Sequence, residues 1–305
     1  MNATQTSEKT MIQYNEATVT DAVVDSLAHC TDPRFKSIMT ALIKHLHAFV
    51  REVDLSEEEW ADAVQFLMET GKGSLPQRNE FILLSDTLGV SMLVVSLAQA
   101  RKSASLKGAT RATEATVEGP FYWQGAPDVP LGANLAEGVP GEPALYQGSV
   151  TDIEGRPLAG ALLDVWSGDG EGNYDVQLSN PPTMRGRGRL RTDAQGRYHF
   201  WSIKPTAYPI PDDLTTGTML QRMGRPNWRP GHLHAMVSAD RHVPLTTHLF
   251  VSDSKYLDSD AVFAVRNSLV IDFDRHGPGR APDGRMMTTP YHVANYDFRL
   301  APARA

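Results

Sequence analysis

The chain has 305 residues, of which 41% are hydrophobic and 21% charged, enough for one large soluble domain or a core domain with a smaller companion. Its formal net charge of -7 and pI near 5.8 argue against a nucleic-acid or anionic-membrane surface. A single cysteine, Cys30, excludes an internal disulfide and a cysteine-rich metal site, so any bound metal must draw on His, Tyr, Asp or Glu.

The first twenty residues are polar and lack the basic, apolar and small-residue order of a signal peptide. No run approaches the roughly 20 apolar residues needed to span a bilayer, so a cytoplasmic location without a membrane partner is expected. Residues 17–102 carry helical periodicity. Phe35, Ile38, Leu42, Leu46 and Phe49 repeat at helical spacing after Pro33, and Ser56 with Glu59 forms a capping box ahead of Trp60, Val64, Leu67 and Met68. These are amphipathic, core-seeking helices. The spacing predicts one further helix over 78–99, apolar around most of its circumference. Such a helix is buried by its own domain, by a partner subunit or by a hydrophobic ligand.

From 103 to 142 the composition turns to Gly, Pro, Ala and Thr, and a connection of that length belongs against a functional site. Beyond it the period becomes two. Strands are predicted at 145–152, 162–166, 198–203, 232–238, 247–251, 269–273 and 292–300, separated by Gly, Pro and Asp turns. That spacing indicates a β-sandwich. The arginine run Arg185, Arg187, Arg189 and Arg191 reads as a solvated strand or loop face. The expected fold class is α+β, with helices over 1–105 and an all-β sandwich with long surface loops over 106–305.

The predicted strand at 232 opens on Arg229-Pro230-Gly231-His232-Leu233-His234. Residues two apart on a strand share a face, so His232 and His234 can reach one metal ion together. The same letters at His45-Leu46-His47 fall inside a helical pattern, where residues two apart diverge by about 200°. Two ligands do not complete a site. Tyrosines in Gly- or Pro-rich loops are the nearby polar candidates: Tyr174 in Gly172-Asn173-Tyr174-Asp175 and Tyr208 in Ala207-Tyr208-Pro209. Taken alone, either tyrosine reads better as structural.

The order of these segments resembles the intradiol ring-cleaving dioxygenases. That family's pattern is a G-x-Y after a D-x-W strand, a D-x-x-G-x-Y strand leading to a second Tyr, then R-P-x-H-x-H. Here these are Asp164-Val165-Trp166 with Gly172 and Tyr174, Asp193 with Gly196 and Tyr198 leading to Tyr208, and Arg229 to His234. The resemblance spans nearly the whole chain and implies that the helical part is a linker and dimerisation domain. It implies one Fe(III) per subunit held by Tyr174, Tyr208, His232 and His234, with catalytic roles for Tyr208, Arg229 and His248. Hard Fe(III) prefers anionic oxygen, and a bound cation favours phenolates over phenols whose free pKa is about 10, so the donor types are consistent.

By the same resemblance, His248 stands where catechol-specific members usually carry Gln, and members acting on hydroxyquinol (benzene-1,2,4-triol) share Tyr174-Asp175-Val176-Gln177, Tyr208-Pro209-Ile210-Pro211 and the segment around Val262. The implied substrate is hydroxyquinol, cleaved with O2 to 3-hydroxy-cis,cis-muconate or maleylacetate. A catechol 1,2-dioxygenase giving cis,cis-muconates is the alternative, and a non-catalytic sandwich binding module is a remote one. Leu83, Asp86, Val117, Gly119, Pro120, Ile210, Pro211 and Val262 are expected to line the ring pocket. A homodimer, with a lipid in the apolar helical region, completes the implied partners. Gly231, where alanine is frequent, and Tyr122-Trp123 depart from the family's pattern.

Overall fold

A computed structural model of the protein describes residues 14–75, 78–104, 112–178 and 183–303. The chain divides into two compact units, Met1–Leu67 and Met68–Ala305. In the first, helix α1 (Val19–Asp25) is followed by α2 (Pro33–Glu52) and the start of α3 (Glu57–Gly73). The Asp32 side chain accepts from the backbone N–H groups of Arg34 and Phe35, and Pro33 stands at the first turn, where a missing N–H costs no hydrogen bond. The expected capping box forms at α3, with Ser56 N donating to Glu59 at 3.0 Å and Glu59 N to the Ser56 hydroxyl at 3.2 Å. His47 lies in α2 and its Nδ1 is 2.9 Å from the Thr20 hydroxyl, a tie to α1 rather than half of a chelate.

The apolar row of α2 has the predicted spacing but is not core. Phe35, Ile38, Leu42, Leu46 and Phe49 are each 45–53% exposed. In the second unit, the single helix expected over 78–99 is two, α4 (Glu80–Thr87) and α5 (Val90–Ala104), bent by 72°. Gly89 adopts φ 74° and donates its N–H to Asp86 O at 3.0 Å, which ends α4 in a left-handed glycine stop. Apolar residues continue across the break, so periodicity alone conceals it. Among the described residues no single helix is long and apolar enough to cross a membrane.

The rest of this unit is a sandwich. One sheet runs β10 (Phe273–His276), β13 (Tyr291–Asn295), β1 (Pro143–Asp152), β14 (Phe298–Leu300), with β4 (Arg197–Ile203) also paired to β1. The other runs β3 (Arg187–Arg191), β2 (Leu162–Trp166), β7 (His232–Ser238), β8 (Leu245–Val251), β9 (Val270–Ile271). Two short ribbons pair β5 (Tyr208–Pro209) with β6 (Trp228–Arg229) and β11 (Gly279–Arg280) with β12 (Met286–Met287). Short helices α6 (Asp175–Leu178) and α7 (Thr215–Arg222) complete the elements. The strand expected over 269–273 divides at Asp272, because β9 joins one sheet and β10 the other, a change of sheet at a bend. The strand expected over 292–300 is likewise two. Asp297, in the gap, turns to accept from the backbone N–H and hydroxyl of Ser149 at 2.8 and 2.7 Å.

Alternation then fixes which side chains meet. Leu163, Val165, Leu233, Ala235, Val237, Leu249 and Val251 face Ala144, Tyr146, Tyr198, Phe200 and Ala294 across the sandwich core. The other parity points Trp166, His232, His234, His248 and Phe250 out of the opposite face of the second sheet. That face is covered by Leu83 of α4, Met92 of α5, Val117 and Phe121 of the long connection, and Tyr208 and Ile210, so the polar side chains there are buried too.

Candidate metal centre

Four donor side chains converge on this covered face. His232 and His234 arrive on alternate positions of β7, as the strand geometry requires. Across the sheet, His234 stands directly opposite Trp166 on β2 and His248 on β8. The Trp166 ring stacks on His234 with centroids 4.6 Å apart and planes at 11°. Tyr174 follows β2 through a turn in which Gly172 has φ 89°, and a Cβ there would lie 2.6 Å from the Tyr208 Cβ. Only glycine satisfies both the backbone and that approach, which gives the G-x-Y spacing a physical cause. Tyr208 is on a ribbon rather than in the open loop expected from its prolines, and its partner across the ribbon is Arg229.

The Tyr174 hydroxyl is 2.9 Å from His234 Nε2, 3.5 Å from His232 Nε2 and 3.5 Å from the Tyr208 hydroxyl, while the two Nε2 atoms are 3.2 Å apart. All four residues are at most 5% exposed. His232 Nδ1 is 2.7 Å from Pro230 O. A carbonyl only accepts, so Nδ1 carries the proton and Nε2 keeps its lone pair. Burial, assisted by the Arg229 charge, pulls the His232 pKa down to about 3. Burial likewise holds His234 and His248 well below 6.5. Burial pushes the Tyr174 phenol well above 10, and the adjacent Tyr208 adds to this. Neutral imidazoles and phenols that need a cation in order to ionise in a dry site are the chemistry of a hard, multiply charged ion, so the donor set fits iron.

His232, His234 and His248 also place nitrogen atoms within 4.8 Å of one another. His248 is nevertheless no third imidazole ligand. Its Nε2 lies 2.9 Å from His234 Nδ1, on the far side of that ring, and its Nδ1 lies 2.8 Å from the Thr116 hydroxyl. With His234 Nε2 free to bind, His234 Nδ1–H donates to His248, whose Nδ1–H donates to Thr116, and both His248 nitrogens are used. Arg229 is fully buried and bonded through Nε to Asp260 at 2.9 Å, and its Nη1 lies 3.1 Å from His232 Nε2. Burial opposes its charge, but the Asp260 carboxylate more than compensates and keeps the guanidinium charged.

Residues 117–302 match the family model described as "Dioxygenase", and residues 32–105 the one described as "Catechol dioxygenase N terminus". The 6-chlorohydroxyquinol 1,2-dioxygenase of Cupriavidus pinatubonensis is 46% identical over 88% of this chain and 95% of its own length. The chain belongs to the intradiol dioxygenase family. Among solved structures, the hydroxyquinol 1,2-dioxygenase of Pseudomonas putida DLL-E4 superposes with a TM-score of 0.82 at 44% identity, covering 94% of this chain and 98% of that one. The catechol 1,2-dioxygenase of Pseudomonas arvilla C-1 superposes with a TM-score of 0.80 at 30% identity, covering 93% and 92%. As an intradiol dioxygenase, the protein is of a family that implies non-haem iron.

On the His234 side lies a cavity of about 780 Å³ whose lining includes Asp86, Val117, Gly119, Pro120 and Tyr122. A Cβ on Gly119 would be 3.2 Å from His234 Cε1, so this wall lies against the edge of that imidazole. Leu83 and Ile210 pack in one cluster with Tyr174 and Tyr208, and Val262 packs in another with Val117. Neither those three residues nor the half-buried Pro211 line the cavity. Asp86 is buried, its Oδ1 has no hydrogen-bond partner among the described residues, and burial pushes its pKa up to about 6.

Three groups at this site escape a reading by sequence pattern. Asp260 lies in the segment around Val262, but only the fold shows it holding Arg229. Thr116 carries no motif. Arg187 corrects the solvated reading of the arginine run: it is buried on β3 with a forked bond to Asp175, while Arg191 is exposed and Arg189 half-exposed. The adjacency of Asp175 to Tyr174 is the one local signal for it. The Gly231 departure has a structural cause, because a Cβ there would lie 2.5 Å from Pro205 O.

Proposed function

We propose that the protein is a hydroxyquinol 1,2-dioxygenase that binds one Fe(III) per subunit through Tyr174, Tyr208, His232 and His234. It opens the triol ring between the vicinal hydroxyls, and both atoms of O2 end in 3-hydroxy-cis,cis-muconate or its keto form maleylacetate. The observation that carries the reading is the convergence of two phenols and two neutral imidazoles on a buried face, with the Tyr174 hydroxyl within 3.5 Å of the other three donors. When bound, Fe(III) supplies the Lewis acidity that holds the substrate as a dianion and makes its ring reactive toward O2.

The chain's own residues do the rest. Tyr208, paired across its ribbon with Arg229, would serve as the base for one substrate proton, and Tyr174, His232 and His234 would hold the metal with it. Once His232 Nε2 is engaged, the Arg229 Nη1–H is free to face the anionic substrate, and Asp260 keeps that guanidinium charged and aimed. His248 fixes the His234 tautomer. Asp86, with an unpaired carboxylate oxygen lining the cavity, accepts a hydrogen bond from the third hydroxyl, which plain catechol lacks. Val117, Gly119 and Pro120 line the ring pocket with it, while Leu83 and Ile210 pack with Tyr174 and Tyr208, and Val262 packs with Val117.

The exposed apolar row of α2 supports a homodimer formed through a helical linker domain over 1–105, and exposed Leu93, Val94 and Leu97 on α5 support a lipid there. The single cysteine favours a cytoplasmic location. The test is oxygen uptake with product mass analysis on hydroxyquinol and catechol side by side, using iron-loaded protein. A triol product that gains both atoms of O2, with catechol turned over more slowly, is the expected result. No visible tyrosinate-to-iron band and no uptake with either diol refutes it.

A further inference from the structure

We infer that the buried Asp175–Arg187 pair is the device that positions Tyr174, making Arg187 a positioning residue for the site. Asp175 directly follows Tyr174, and its carboxylate accepts from four donors. These are Arg187 Nε at 2.6 Å, Arg187 Nη2, the backbone N–H of Arg185 at 3.0 Å and that of Val176 at 2.9 Å. The remaining arm, Arg187 Nη1, donates to Phe121 O at 3.3 Å. Phe121 in turn lays its ring on Tyr174, with centroids 4.7 Å apart and planes at 30°. One planar guanidinium thus fixes the backbone on the C-terminal side of Tyr174 and the ring stacked against its face. It does so from β3, at the position facing Trp166, whose own ring covers His234.

Stability alone does not account for this arrangement. The Arg187 and Asp175 side chains are 1% and 2% exposed, and a fully buried ion pair is commonly replaceable by apolar residues of similar volume with no loss of stability. What apolar residues cannot reproduce is the fork, which bonds two separate segments from one rigid plane. A lysine cannot reproduce it either, since its donors radiate from a single nitrogen. Groups that orient a metal ligand through hydrogen bonds typically change metal affinity by about 10–100-fold when removed.

This inference rests on Tyr174 being an iron ligand. The test compares the full-length protein with Arg187→Lys, Arg187→Met and the double variant Asp175→Leu/Arg187→Met, in which no unpaired charge remains. Each is titrated with iron as apoprotein, and the tyrosinate-to-iron band and melting temperature are recorded. The expected result is an iron affinity about 10–100-fold below wild type, with a shifted band, in all variants that fold. The double variant recovers melting temperature over Arg187→Met but keeps the iron defect. Wild-type affinity and band in Arg187→Lys or in the double variant overturns the inference. Absence of the band in wild-type protein loaded with iron instead overturns the ligand assignment on which it rests.

Discussion

Replacing Asp260 with Asn tests whether Arg229 is a prepared charge or a bystander. The Asp260 carboxylate accepts from Arg229 Nε at 2.9 Å, Arg229 Nη2 at 3.4 Å, Val262 N at 3.3 Å and Ala264 N at 2.9 Å. Oδ1 takes Arg229 Nε and Val262 N, and Oδ2 takes Arg229 Nη2 and Ala264 N, so the NH2 of an amide of the same shape faces one guanidinium and one backbone donor in either orientation, donor against donor. Removing one partner of a buried pair costs about 3–5 kcal/mol, and the retained carbonyl places Asp260→Asn near the lower end, at about 3 kcal/mol. For a unit of this size each kcal/mol moves the melting temperature by about 2–4 °C, so a fall of about 6–12 °C is expected at pH 7. Burial pushes the Asp260 carboxyl up, but Arg229 outweighs burial and holds it below its ordinary 3.8. A depressed folded pKa gives stability that is complete above the unfolded pKa and is lost as pH falls through the folded one. The gap between wild type and variant should therefore be constant near neutrality and close below about pH 4. Thermal melts from pH 3 to 8, paired with kcat for hydroxyquinol, measure this. A variant that melts within about 2 °C of wild type at pH 7 and keeps full kcat refutes the role given to the pair.

Other expected outcomes follow from neighbouring groups. Burial raises Asp86 from 3.8 to about 6, so metal-free protein loses about 3 kcal/mol as pH rises through that interval. Asp86→Asn should then be the more stable protein at pH 8, with the difference vanishing toward pH 4, while kcat/KM falls more for the triol than for catechol; equal losses on both substrates count against a third-hydroxyl contact. His248→Gln retains an acceptor for His234 Nδ1–H and should bind iron nearly as wild type does, whereas His248→Leu should lose about 10–100-fold in affinity by iron titration. Equal affinities would remove His248 from the chain that orients His234. Gly231→Ala places a Cβ 2.5 Å from Pro205 O and should cost about 1–3 kcal/mol in denaturant unfolding, without changing the substrate ratio.

What the sequence conveyed about this fold and site follows the range of the forces involved. Period-two alternation on β7 is local, and it puts Leu233, Ala235 and Val237 in the sandwich and His232 and His234 on the other face. Gly172 before Tyr174 is equally local, since a turn and a close approach both demand it. The break at Gly89 was hidden because apolar residues run on through it, and only the backbone's left-handed turn marks it. Charges mislead more often than apolar residues do. An arginine on a strand is solvated unless a partner arrives from elsewhere, and the partners of Arg187 and Arg229 come from 12 and 31 residues away. The rows on α2 are ambiguous in the opposite sense, because an apolar stripe has the same spacing whether its cover is the same chain or another.

The position of the donors also separates two properties that a site on one element would merge. Both imidazoles stand on the outer face of the sheet, with the phenols beside them, and a buried outer face needs a second cover. That cover comes from α4, the long connection and the segments after β5 and before β9, which bring Leu83, Asp86, Val117, Gly119, Ile210 and Val262. The two imidazoles, by contrast, stand on β7, whose inner residues build the core, and Tyr174 and Tyr208 are held by the turn after β2 and by the β5–β6 ribbon. Substitutions in the cover can therefore change which diol is accepted while leaving iron affinity nearly untouched, whereas substitutions beneath the donors, at Trp166, His248 or Arg187, act on the metal first and on every substrate alike.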